Sequence, residues 1–169
     1  MRRPDPRFAV LAAALALAGC AGYRLGSMLP PSLRTVHVPT VVNTTAEPMI
    51  EGEATRALLA RIRSDGSLRI AAADRADAVL RVTLRDLRSE PIAFERGQTA
   101  RANEYRFVLT ASFEFIDART GDVVSSARDA SGETTADAPG DRASATREAL
   151  PVLTEDLARD IVRRVVEAW

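Results

Sequence analysis

Along residues 105–116 apolar and polar positions alternate. Tyr105, Phe107, Leu109, Ala111, Phe113 and Phe115 share one parity, and Arg106, Thr110, Ser112 and Glu114 share the other. Successive side chains of a strand point to opposite faces. The segment therefore reads as a strand with an aromatic-rich core face and a polar outer face. Residues 76–87 repeat the pattern, with Leu80, Val82 and Leu84 set against Arg81, Thr83 and Arg85. Residues 90–103 carry Pro91, Arg96, Gly97 and Arg101 without a period, and read as a long hairpin loop. Residues 117–121 end in Gly121 and read as a hairpin turn. Residues 122–131 are the returning strand, and residues 131–141, rich in Gly, Thr, Asp and Pro, a loop.

Two segments change period. Over residues 50–64, Ile50, Ala54, Ala57, Leu58 and Ile62 recur at three- and four-residue spacing, which predicts an amphipathic helix. Asp65 and Gly66 supply its stop, Gly66 being free to take the left-handed cap conformation. Over residues 142–169, Leu150, Leu153, Leu157, Ile161, Val165 and Ala168 form a second stripe. Pro151 should kink that helix or begin a new segment, and terminal Trp169 should dock on the domain. Residues 33–42 read as a first strand, at an edge or bulged, because Pro39 cannot donate to a ladder. Residues 68–71 read as a short one. The order is β-α-β-β-β-β-α. The expected fold class is α+β, a two-layer sandwich: two helices on one face of a mixed, largely antiparallel sheet of about four strands. Arg81, Arg85, Arg106 and Glu114 remain on the other face.

The chain's beginning has its own pattern. Arg2, Arg3 and Arg7 precede an apolar run over residues 8–17, then Leu17, Ala18, Gly19 and Cys20. A basic start, a short apolar stretch and small residues before a cut make a secretory signal peptide. The run is too short to cross a hydrocarbon core of roughly 30 Å. Leu-Ala-Gly-Cys looks like a bacterial lipobox, in which cleavage precedes the cysteine and acyl chains are then attached to it. Cys20 is the chain's one cysteine and has no disulfide partner. The expected division is 1–19 signal peptide, 20–32 lipidated tether and 33–169 a single sandwich domain. Several acyl chains on Cys20 give a stable anchor without a transmembrane helix. Ala21, rather than Asp, after the cysteine resembles the sorting signal of lipoproteins sent to the outer membrane, here on its periplasmic side.

Composition narrows the chemistry. All 23 cationic residues are Arg. Without Lys there is no Schiff-base or P-loop lysine. Without its signal peptide the chain is slightly acidic, unlike a nucleic-acid binder. His37 is the one histidine, at an outward strand position, and no Gly-x-Ser-x-Gly elbow or spaced ligand set accompanies it. No catalytic residue, no metal site and no cofactor beyond the covalent lipid on Cys20 are expected, so the reading is a non-enzyme.

Several short stretches carry a family likeness. They are Cys20-Ala21-Gly22-Tyr23-Arg24-Leu25, Val36-His37-Val38-Pro39, Asn43-Thr44, Glu47-Pro48, Asp65-Gly66, Ala76-Asp77-Ala78-Val79-Leu80 and Thr120-Gly121. In this order they resemble the lipopolysaccharide-assembly lipoproteins, the LptE-like family. The resemblance implies two helices on a four-stranded sheet. It also implies a partner, the outer-membrane β-barrel of the lipopolysaccharide translocon (LptD-like). The protein would plug that barrel, assist its assembly and the insertion of lipopolysaccharide, and bind lipopolysaccharide itself. Cys20 is the one functional residue that carries over. Arg81, Arg85, Arg88 and Arg106 are candidate ligand contacts from strand parity and from the way guanidinium pairs with phosphate. The alternative is a periplasm-facing lipoprotein that activates or assembles another envelope machine by binding protein.

Overall fold

The computed structural model describes residues 32–94, 102–137 and 141–168. Cys20, the signal peptide, the tether through residue 31 and Trp169 lie outside the described residues. Among the described residues there are six strands: β1 (Thr35–His37), β2 (Val42–Asn43), β3 (Arg69–Ile70), β4 (Ala78–Phe94), β5 (Ala102–Asp117) and β6 (Val123–Asp137). They form one mixed sheet in the order β3-β1-β4-β5-β6, with β2 also paired to β4. The β1–β3, β1–β4 and β2–β4 pairings are parallel, and β4–β5 and β5–β6 are antiparallel. Helices α1 (Glu51–Asp65) and α2 (Arg142–Glu167) carry the other half of the core. The class is the expected one, with more strands than about four.

The extra strand comes from Pro39. It breaks the expected single strand over residues 33–42 into β1 and β2. β1 is interior rather than at an edge, lying between β3 and β4. It is held there by Asp77, whose carboxylate accepts the Arg34 and Thr35 amides at 3.1 and 2.8 Å and the Thr35 hydroxyl at 2.7 Å. The Asp77 amide in turn donates to the Thr35 hydroxyl oxygen at 2.9 Å. Chiefly the Thr35 hydroxyl, then its amide, hold the Asp77 carboxyl below the usual range.

Both long loops of the sequence reading are partly strand. β4 continues to Phe94 and β5 begins at Ala102, so only residues 95–101 separate them. β6 runs on to Asp137 through Gly132. A Cβ on Gly132 would stand 2.4 Å from the Leu153 carbonyl oxygen and 2.5 Å from the Leu157 amide nitrogen. The glycine is there because the backbone of α2 lies directly on β6.

The parity expected for β5 holds. Phe107, Leu109, Ala111, Phe113 and Phe115 are buried, Arg106 and Glu114 are exposed, and Tyr105 is half-buried. α1 buries Ala54, Leu58 and Ile62 and ends at Gly66, φ 78°. α2 is one helix through Pro151, with no second segment. It begins with Asp141 accepting the Ser144 amide at 2.8 Å, a side-chain cap. Its buried stripe is wider than expected, taking in Ala145, Ala149, Ala158 and Val162, whereas Ala168 is exposed at the helix end.

Candidate functional site

Residues paired across a sheet share a face. The pairs Arg81–Glu114, Thr83–Ser112 and Glu114–Ser126 therefore stand together on the face opposite the helices. That face would be flat if the ladders were regular. Of the register shifts that interrupt them, two meet at the level of Ala111 and Ser112. On β4, Arg85 is the extra residue between Leu84 and Asp86, which pair with Ala111 and Thr110. On β6, Arg128 and Asp129 together oppose Ser112, between the Ala127–Phe113 and Ala130–Ala111 pairs. A bulge bends its strand and increases the local twist.

Between them lies an open groove of about 600 Å³ lined by Arg81, Thr83, Arg85, Ser112, Glu114, Ser126 and Arg128, with Phe113 and Ala127 beneath. Its three guanidinium groups are exposed. Among the described residues none of the three is in an ion pair, and Glu114 is the groove's one carboxylate. Three planar donors and three hydroxyls around an open floor suit an anion with several oxygens, which Arg binds in a bidentate way.

The four candidate arginines divide in two. Arg81 and Arg85 meet in the groove. Arg88 and Arg106 lie further along the hairpin, and both are engaged: Arg88 Nε is 2.8 Å from Asp86, and Arg106 Nε is 3.1 Å from Glu133. Arg128 is the member that strand parity over residues 122–131 did not single out. The available signal was the three-residue spacing of Ala127 and Ala130, small residues that both turn inward around a bulge. The bulge's other residue, Asp129, pairs instead with Arg164 of α2 at 2.8 Å.

His37 is half-buried on β1, paired with Val79. Among the described residues no cluster of His, Cys, Asp or Glu has the arrangement of a metal site, and no helix is long and apolar enough to cross a membrane.

The model of a lipopolysaccharide-assembly family, LptE, matches residues 33–165. No curated protein matches the chain. Among solved structures, a Xanthomonas campestris protein superposes with a TM-score of 0.52 at 11% identity, covering 82% of this chain and 90% of its own. A hypothetical protein of Chlamydia trachomatis gives 0.51 at 13%, covering 78% and 95%. Uncharacterized lipoprotein B of Nitrosomonas europaea gives 0.50 at 17%, covering 82% and 84%. At such identities the likeness is one of fold.

Proposed function

The chain belongs to the LptE family of lipopolysaccharide-assembly proteins, and from that premise we propose that it is an outer-membrane lipoprotein that plugs the translocon barrel and presents a phosphate-binding groove to lipopolysaccharide. Acyl chains on Cys20 hold it to the periplasmic side of the membrane. A tether over residues 20–32 lets the domain reach a neighbouring barrel. The lumen of such a barrel is polar, and the bare sheet face, with its arginines and hydroxyls, suits that surface better than an apolar face would.

The observation that carries the ligand reading is the convergence of Arg81, Arg85 and Arg128 in one groove. A lipid A phosphate there meets several guanidinium donors at once, and a hydrogen bond to a charged group is worth about 1.5–3 kcal/mol. Arg88 and Arg106, tied to Asp86 and Glu133, stand outside the groove and are not among its first contacts. The work is done by surfaces and needs no reaction.

Depletion of the protein tests the proposal. The assembled barrel should fall in amount and the permeability barrier weaken. Joint replacement of Arg81, Arg85 and Arg128 by Glu should reproduce the barrier defect while the thermal melt stays within a few degrees of the wild type. Unchanged barrel assembly and surface lipopolysaccharide on depletion would reject the function. A harmless triple variant, with depletion harmful, would reject the groove alone.

A further inference from the structure

The two edges of the long hairpin sheet are finished differently. On β6 the amides of Ser131 and Glu133 point away from β5 and donate to α2, to Asp160 at 3.2 Å and Asp156 at 3.1 Å. The helix thereby seals that edge. On β4 the cover is short. β1 pairs with it at Ala78 and Val79, and β2 at Thr83 and Leu84. The last bond of that cover is the Thr44 amide to the Leu84 carbonyl at 3.0 Å. Beyond Leu84, among the described residues, nothing pairs with the outer side of β4.

The direction of the free groups follows from the register. Ser131 and Glu133 face outward, so their partners Thr110 and Val108 turn their own groups toward β4, where they meet Asp86 and Arg88. Antiparallel ladders alternate, so Leu87, Ser89 and Pro91 turn theirs outward. The open edge thus offers two amides, on Leu87 and Ser89, and three carbonyls, and Pro91 falls where its missing N–H breaks no existing bond. On the outer face the charges along the same stretch alternate: Asp86, Arg88, Glu90. A row of free backbone groups is a template for another strand.

We infer that this edge pairs with the same edge of a second copy, antiparallel, about a two-fold axis at Ser89. The charge pattern selects this occupant and this register. With the axis at Ser89, Arg88 of each copy opposes Glu90 of the other, giving two cross-strand ion pairs. The two Ser89 residues exchange both of their bonds, and each Leu87 amide reaches the second copy's Pro91 carbonyl. An axis at Arg88 would still pair the free groups of Leu87 and Ser89, but it sets Arg88 against itself and Asp86 against Glu90, so charge alone rejects it. An axis at Leu87 is acceptable in charge but drives the second strand against the Arg85 bulge and the chain at Thr44. Pro91 ends the pairing at four bonds, enough for a reversible dimer and too few for a growing sheet. This self-association is independent of the barrel and of the phosphate groove.

The test uses the full acylated chain in density-matched detergent, with sedimentation equilibrium and amide hydrogen exchange. The wild type should dimerise reversibly, and the Leu87 and Ser89 amides should be protected only at concentrations where dimer forms. Arg88→Glu or Glu90→Arg alone places like charges across the axis twice and should weaken the dimer about tenfold or more. The double exchange should restore it. A purely intramolecular role for Arg88, beside Asp86, predicts no restoration, since the double variant puts a second carboxylate beside Asp86. A monomer at every concentration would overturn the inference. So would failure of the double variant to rescue, or amide protection independent of concentration, which would mean that the chain's own residues or another molecule cover the edge.

Discussion

Replacing Gly132 by Ala tests how α2 is seated on the sheet. Two effects oppose each other. The methyl group removes freedom from the unfolded chain, which alone would stabilise the fold by about 0.4–1 kcal/mol. In the folded chain it would lie 2.4 Å from the Leu153 carbonyl oxygen and 2.5 Å from the Leu157 amide nitrogen. Both are backbone atoms of one helix, so no side-chain rotation relieves the contact. The helix must retreat by roughly 1 Å to reach ordinary van der Waals separation, and overpacking of this kind costs about 1–3 kcal/mol. The retreat also stretches the bonds from Ser131 and Glu133, on either side of Gly132, to Asp160 and Asp156. Those bonds are exposed, and their loss adds about 1 kcal/mol in total. The expected net loss is about 2–3 kcal/mol, read as a lower denaturant midpoint at unchanged slope. Gly52 is the control. It lies in the first turn of α1 with nothing within 4 Å of a built Cβ, so Gly52→Ala should stabilise by about 0.5–1 kcal/mol. If both substitutions stabilise, the close approach of α2 to β6 is wrong.

Two further outcomes are expected. Phe113 is buried at 2% exposure while its neighbour Glu114 faces solvent, so Phe113→Ala should cost about 3–5 kcal/mol and Glu114→Ala almost nothing; equal losses in urea melts would mean that the faces are exchanged. The Asp77 carboxyl is held low by Thr35, so its contribution is present above the ordinary carboxylate range and lost as pH falls through the folded-state value. Stability curves of wild type and Asp77→Asn should therefore differ near neutrality and converge in acid, and curves that stay parallel would remove Asp77 from the acid response.

The period of the hydrophobic pattern was enough to read both helices, the parity of β5 and the face on which Arg81, Arg85 and Arg106 stand. It failed where a neighbour, rather than the local sequence, decides the backbone. Residues 131–137 carry Gly132, Thr134 and Thr135 and look like a loop, yet they are strand because α2 lies over them and supplies carboxylates to their free amides. Residues 90–94 contain Pro91 and look like a loop for the same kind of reason. A proline is tolerated there because that side of β4 has no strand beside it among the described residues. Pro39 misled in the other direction. It suggested an edge strand, but the Asp77 carboxylate, 42 residues away in sequence from Thr35, fixes β1 in the interior.

The groove shows why face and site are separate questions. The four candidate arginines share one surface, but not by parity alone: on a regular ladder Arg88, seven residues after Arg81, would face the helices, and the extra residue at Arg85 shifts it to the bare face. The bulge at Arg85 and the one at Arg128 and Asp129 lie on the two strands that flank β5, at adjacent levels beside Ala111. Each inserts a residue on its own strand without an equivalent on β5, and Arg85 and Arg128 line the groove with Arg81 while Arg88 and Arg106 do not. A charged residue at a bulge is aimed by the irregularity itself. The bulge on β6 serves two surfaces at once. Arg128 goes to the groove, while Asp129 goes to the α2 edge and holds Arg164, which in turn pairs with Asp160. Burial would raise the Asp160 carboxyl, but bonds from Arg164, Arg163 and the Ser131 amide outweigh it and hold it low. The β6 bulge thus gives Arg128 to the cationic groove and, through Asp129 and Arg164, supports the Asp160 carboxylate that seals the edge. A change that regularises β6 at this point would disturb both together.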